Sequence, residues 1–198
     1  MKPFEPSTFS SKSAKRRSFL CLISLLFLFA GAVMGPVRDA SAQSASNLEY
    51  QVKAVFLYQF VKYVKWPLPD SPGTGNPSII GIFRESPVFP YLKETIKKPG
   101  RNDRSLSVQQ LENVEPLITC KVVFFDKAYR IQWEDVLGTL ADKPVLTISD
   151  SDGFAEKGGI IQFVTVGGKI KFIINNSAAK KAGLAISAKL LNLAQKVY

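Results

Sequence analysis

The chain has 198 residues, 26 basic against 16 acidic, a formal net charge of +10 and a mean hydropathy close to zero (+0.06). It contains no histidine and only two cysteines, which removes Ser-His-Asp and Cys-His nucleophilic catalysis, histidine general-base chemistry and most zinc sites. One domain of ordinary size with a real core fits this length.

The first 42 residues read as an export leader. A basic stretch (Lys12, Lys15, Arg16, Arg17) runs into an apolar block from Phe19 to Met34, and Ala40-Ser41-Ala42 supplies the small-x-small pattern of a cleavage site before Gln43. The block is short for a bilayer span, so a cleaved leader is favoured over an uncleaved anchor. Arg16-Arg17-Ser18-Phe19-Leu20 resembles a twin-arginine signal, while the strongly apolar block suits the general secretory route; both stay open. The expected mature chain, 43–198, is a single domain without a membrane span. It carries 20 basic and 14 acidic residues and one cysteine, Cys120. An intramolecular disulfide is thereby excluded. A net charge of +6 outside the cytoplasm suits anionic lipid, an acidic protein face or simple solubility better than nucleic acid.

Leu48 to Lys65 lacks glycine and proline and predicts a helix, with Asn47 as its N-cap and Trp66-Pro67 as its stop. Apolar residues cover most of its circumference, so it must bury more than one face. Leu68 to Pro77 is a Pro/Gly-rich loop. Strands and helices then alternate: a strand at Ser78–Phe83, a helix at Pro87–Lys98, a weak strand at Ser105–Val108, and a strong one at Lys121–Phe125. A short helix at Ile131–Ala141 and a strand at Pro144–Ser149 follow. Ile160–Val166 and Lys169–Asn175 flank Gly167-Gly168, the signature of a tight hairpin. Beyond Asn175 or Asn176 as cap, Ala179, Ala182, Ile186, Leu190, Leu193 and Val197 recur at steps of 3 and 4 and predict one long final helix. The fold class is therefore α/β: a mainly parallel sheet with flanking helices, then an antiparallel hairpin and a long helix, in a Rossmann-like three-layer arrangement.

Two candidate sites follow. Ligands in open parallel sheets bind outside the carboxyl ends of the strands, which here offer Arg84, Glu85, Asp126, Asp150, Asp152 and, in the next loop, Glu156. That charged rim suits a cationic or zwitterionic small molecule; ordinary turn chemistry explains the same residues. Asp150 and Asp152 have calcium-like spacing without the longer loop pattern, so neither a metal nor any other cofactor is expected. The second candidate is aromatic: Phe56, Phe60, Tyr63 and Trp66 on the first helix are of the types that anchor interfaces, with a partner protein or a second copy on the other side. Burial between the sheet and the final helix accounts for them equally well. If the face is open, Phe60→Glu abolishes association and leaves the monomer folded. Cys120, opening an apolar strand, is expected to be a buried and inert thiol.

An ordered set of pieces resembles a known family. It comprises Lys53-Ala54, Phe56-Leu57 and Phe60 through Trp66-Pro67, then Cys120 with its strand, then Pro144 to Asp150, Gly153-Phe154-Ala155 and Gly158-Gly159-Ile160. Ile170 to Asn175, Ala178-Ala179, Ala182 to Ser187 and Leu190-Leu191 complete it. Together these are similar to the YfiR family. The resemblance implies a small α/β periplasmic repressor, not an enzyme, that binds the periplasmic sensor part of an inner-membrane diguanylate cyclase and limits cyclic-di-GMP synthesis and biofilm formation. Lys121 stands where members often have histidine, and the further cysteines of many members are missing, so disulfide-dependent stability is not expected here. A small-molecule sensor is the alternative, and a carboxylate hydrolase the least favoured reading.

Overall fold

The structure is a computed structural model that describes residues 39–67, 78–98, 106–128 and 133–198, with side chains from Ser46 onward. The predicted leader lies outside the described residues except for its last four, and so does the whole of the Leu68–Pro77 loop. The chain divides between Ser44 and Ala45; apart from the first turns of the helix that crosses this point, all that follows concerns Ala45–Tyr198.

Helix α1 (Asp39–Tyr63) leads into a two-residue strand β1 (Val64–Lys65). Then come β2 (Ser78–Phe83), α2 (Val88–Lys97), β3 (Leu106–Leu111), a 3-10 turn (Glu115–Thr119), β4 (Val122–Phe125), α3 (Trp133–Leu140) and β5 (Leu146–Ser149). The hairpin β6 (Ile161–Val166) and β7 (Lys169–Ile174) is followed by α4 (Asn176–Lys181), β8 (Ala185–Ile186), α5 (Ala188–Leu193) and β9 (Lys196–Val197). Seven strands form one sheet in the order β3-β2-β4-β5-β6-β7-β9, and β1 pairs with β8 in a separate ribbon. The run from β3 to β6 is parallel, the hairpin antiparallel. The expected α/β class holds.

Both faces of the sheet are apolar because both are covered. On one, Ile80, Ile82, Val122, Phe124, Ile148, Phe163 and Phe172 pack beneath α1, α2, α4 and α5; on the other, Phe83, Val123, Phe125 and Phe154 meet Trp133, Val136, Leu137 and Leu140 of α3. The three layers account for the continuous apolar runs of β4 and β5, whose residues are all buried. Gly167 and Gly168 take φ of 55° and 71°, as the hairpin requires.

Two elements depart from the sequence reading. The first helix starts at Asp39, so Asn47 lies within it instead of capping it, and it stops at Tyr63 because Val64 and Lys65 pair with Ile186 and Ala185. The long final helix is two short ones. Gly183 adopts φ 72°, the Gly183 N–H donates to Lys180 O (3.0 Å) and the Leu184 N–H to Ala179 O (2.8 Å). Those two bonds are a Schellman stop, with buried Leu184 and Ala179 as its apolar contact. Asn175 caps α4 as expected, accepting from the Ala178 N–H at 2.8 Å, and Ser187 caps α5. The regular apolar spacing across the break reflects a shared core instead of one continuous helix.

Candidate functional site

In this strand order the chain reverses direction between β2 and β4, which is where a parallel sheet normally opens a crevice. Here side chains close it. Asp126, directly after β4, accepts the Ser86 hydroxyl from the loop after β2 on Oδ2, and the Ala128 N–H on Oδ1 at 2.9 Å. Ser86 Oγ in turn accepts the Val88 N–H (3.2 Å) at the start of α2. One strand over, Asp150 follows β5; its Oδ1 accepts the Lys127 N–H (2.7 Å) and its Oδ2 receives Lys53 Nζ at 2.5 Å. Lys53 reaches down from α1, and Glu49 one turn earlier closes on the same ammonium at 2.5 Å.

Lys53 is 1% exposed, Asp126 1% and Asp150 6%. Burial works against the Lys53 ammonium, but Asp150 and Glu49 outweigh it and hold its pKa above the ordinary lysine value. For Asp126 burial is the dominant cause and raises the pKa; the bonds from Ser86 and Ala128 and the charge of Lys53 pull the other way, and Asp150 adds to the rise. The outcome is a salt-bridged plug under the carboxyl edge of the sheet.

Next to the plug is a small cavity of about 290 Å³. Glu49, Lys53, Lys127, Asp150 and Asp152 surround it, over a floor of Phe163, Val164, Thr165 and Ile170 from the hairpin. Of the six sequence-proposed ligand residues, the structure brings Asp126, Asp150 and Asp152 together. The first two are beneath the surface instead of on a rim. Arg84 and Glu85 are exposed at the end of β2, with the Arg84 guanidinium 5.7 Å from the Phe83 ring and φ at 62°. Glu156 points elsewhere and accepts the Tyr198 hydroxyl at 2.6 Å. Lys53 and Ser86 were not singled out by sequence as site residues. The local clue was Glu49 four residues before a lysine on an otherwise apolar helix.

Other buried polar groups have structural work. Ser149 Oγ donates to Phe125 O (2.7 Å), Thr147 Oγ1 accepts the Ile160 N–H (3.1 Å), and Gln162 Oε1 accepts the Ala155 N–H (3.1 Å). These bonds fix the loop between β5 and β6. Cys120 is buried, and that burial pushes its thiol up to about 11 against a smaller downward pull from the Gly81 backbone.

The aromatic set separates. Phe60 is fully buried, with its ring 5.9 Å from Phe163 and 5.2 Å from Phe172. It is a core residue, which corrects the expectation that a partner touches it; Phe60→Glu is now expected to unfold the domain, since it buries a charge without a partner. Phe56 is half-buried and lines a groove of about 490 Å³ between α1 and α2, together with Leu48, Val52, Val55 and Tyr91. Tyr63 and Trp66 lie at the opposite end of α1, half-buried, under the ammonium groups of Lys189 (5.5 Å) and Lys121 (5.3 Å).

A family model matches this architecture. Residues 50–195 match the YfiR/HmsC-like family, and the chain belongs to it. Members are periplasmic regulators of diguanylate cyclase signalling, not enzymes. Among curated proteins none matches the sequence. Two solved structures are similar at low identity. One is an ABC domain in complex with L-Trp from Streptococcus pneumonia, at 15% identity and TM-score 0.47, covering 73% of this chain and 62% of that one. The other is a conserved domain protein from Vibrio cholerae O1 biovar eltor, at 10% identity and TM-score 0.44, covering 75% and 60%. The chain thus spans about three-fifths of each. Among the described residues no helix is long and apolar enough to cross a membrane.

Proposed function

We propose that this protein is a periplasmic repressor, directed across the inner membrane by residues 1–42 and acting as the domain 43–198. It binds the sensor domain of an inner-membrane diguanylate cyclase and thereby limits cyclic-di-GMP synthesis and biofilm formation. Family membership over residues 50–195 carries this reading. The mechanism is population shift: the repressor binds the inactive state of the cyclase more tightly, and its release lets the active state form. Phe56 and the groove around it are the part of the aromatic helix that such a partner reaches, since Phe60 is sealed in the core.

The test is a pull-down from detergent-solubilised host membranes with the processed protein as bait. Recovery of a membrane protein with a cyclase domain, lost on Val55→Asp in the groove with the fold intact, is the expected result. Recovery of no such protein by a folded bait sinks the reading. The cavity beside Lys53 and Asp150 favours a second role, binding a small cationic or zwitterionic molecule. Such a ligand is regulatory only if it alters affinity for the cyclase. Mass spectrometry of the freshly purified protein, before and after denaturation, shows whether a small molecule travels with it.

A further inference from the structure

The charges of this chain are segregated. Segments 50–67 and 157–198 together hold ten lysines and no aspartate, glutamate or arginine. The fold joins these two segments: β1 pairs with β8, and the Ser187 N–H donates to Tyr63 O at 2.9 Å. Lys62, Lys65 and Lys189 are thereby exposed around the end of α1. No ion pair joins any of the three to an acid among the described residues. Lysine ammonium groups lie over aromatic rings here, Lys62 over Tyr58 at 4.5 Å and Lys189 over Tyr63 at 5.5 Å. Leu193, one helical turn from Lys189 on the same side of α5, is 61% exposed.

We propose that this face, built on Lys62, Lys65, Lys189, Tyr63, Trp66 and Leu193, docks the protein on the anionic headgroups of a phospholipid bilayer. Three features select a lipid surface over an acidic protein. The cations are all lysines, point charges suited to a diffuse anionic surface, and the guanidinium fork that pairs bidentately with a protein carboxylate is absent from both segments. Tyrosine and tryptophan at the rim are the side chains that settle at headgroup level. An isolated exposed leucine flanked by lysines suits shallow insertion, with the ammonium groups held at the phosphates. Of the other lysines at this end of the sequence, Lys157 pairs with Glu134 and Lys196 with the Tyr198 hydroxyl, Lys169 and Lys171 are on the hairpin, and Lys180 and Lys181 end α4. The inference goes beyond cyclase binding. It would hold the repressor at the membrane where an inner-membrane partner is met, and it stands or falls without that partner.

The experiment is co-sedimentation of the purified protein with protein-free vesicles. One set contains phosphatidylethanolamine with roughly one quarter phosphatidylglycerol, the other only phosphatidylcholine. Binding is expected to the anionic vesicles alone, and to fall away between about 0.05 M and about 0.5 M salt. Lys62→Gln/Lys65→Gln/Lys189→Gln, with unchanged circular dichroism and melting temperature, is expected to bind roughly 100-fold more weakly. Lys169→Gln/Lys171→Gln, on the hairpin at the opposite edge of the sheet, leaves binding as it was. Equal binding to neutral vesicles overturns the proposal, as does no binding to anionic vesicles at low salt. An equal loss in the hairpin variant also overturns it, because net charge and not this face is then responsible. If vesicle binding is absent but the triple variant loses capture of a membrane protein, the face belongs to an acidic protein instead. The vesicles contain no cyclase, so this result is independent of the pull-down.

Discussion

Lys53 and the pair Lys62 and Lys65 sit about two and a half turns or more apart along one helix and its extension, in contrasting surroundings. At Lys53 the chain buries the ammonium and surrounds it with Asp150 and Glu49, both at 2.5 Å. At the other end it leaves Lys62 and Lys65 in water and supplies no acid in the flanking 50–67 segment. The contrast follows the polarity of the parallel sheet. Loops after β2, β4 and β5 carry Ser86, Asp126 and Asp150 to one edge, so a lysine above that edge finds anions. The opposite edge receives β1, β8 and Lys121 instead. One edge is an electrostatic lock; the other is a surface.

The sharpest way to break this contrast is Lys53→Met. It leaves Asp150 buried beside an apolar side chain and is expected to cost about 3–5 kcal/mol, read as a shift of the urea midpoint. Lys53→Met/Asp150→Leu removes both charges and should recover most of the loss. A single-variant loss below about 1 kcal/mol is incompatible with a buried pair at this edge. The Lys53 pKa is raised, so its stabilisation is fully present below the ordinary lysine value and is lost as pH rises through the folded value.

Asp126 is expected to give a smaller effect of distinct shape. Its folded pKa is raised, chiefly by burial. The folded state therefore holds this proton more tightly than the unfolded chain. The associated stability is present below the ordinary aspartate value and lost as pH rises through the raised one. Asp126→Asn keeps an acceptor for the Ala128 N–H and removes that fall. Urea midpoints across the acid range should flatten in the variant; parallel curves for both proteins would show that Asp126 is not the titrating group.

How much of this was legible in the sequence depended on range. β2, the hairpin and the Asn175 cap were marked by local patterns, as were the strand-end carboxylates Asp126 and Asp150. Lys53 meets Asp150 across 97 positions, and no local pattern reports such a meeting. On a helix apolar nearly all round, a lysine carries no local mark of the distant acid it meets. The two-residue strands β1, β8 and β9 are too short for any periodicity to register. The break in the final helix had a visible signal, Gly183, which the continuing apolar spacing masked.

At the lysine edge small effects are expected. Lys62→Gln/Lys65→Gln should shift stability by less than about 0.5 kcal/mol, as exposed charges without an acid beside them do, measured by the same urea series. A loss comparable to that of Lys53→Met would mean the two edges are not electrostatically different.

Trp66→Phe is the finest probe of this edge. The Trp66 indole N–H is buried and finds no acceptor, whereas no buried side-chain atom of Lys53, Asp126 or Asp150 is left without a partner. An unmatched buried donor carries a desolvation cost of about 1–3 kcal/mol, which phenylalanine removes. Against this, the smaller ring gives up contact area and part of the attraction to the Lys121 ammonium 5.3 Å away, about 0.5–1 kcal/mol. The opposing contributions leave a net change within about 1 kcal/mol, in contrast to Trp66→Ala, which loses the packing as well and should be clearly destabilised. A large loss in the phenylalanine variant would reveal that the indole N–H is hydrogen-bonded in solution. This edge would then be an ordered polar site like the other, and not the loosely held aromatic surface that lies ready for an anionic partner.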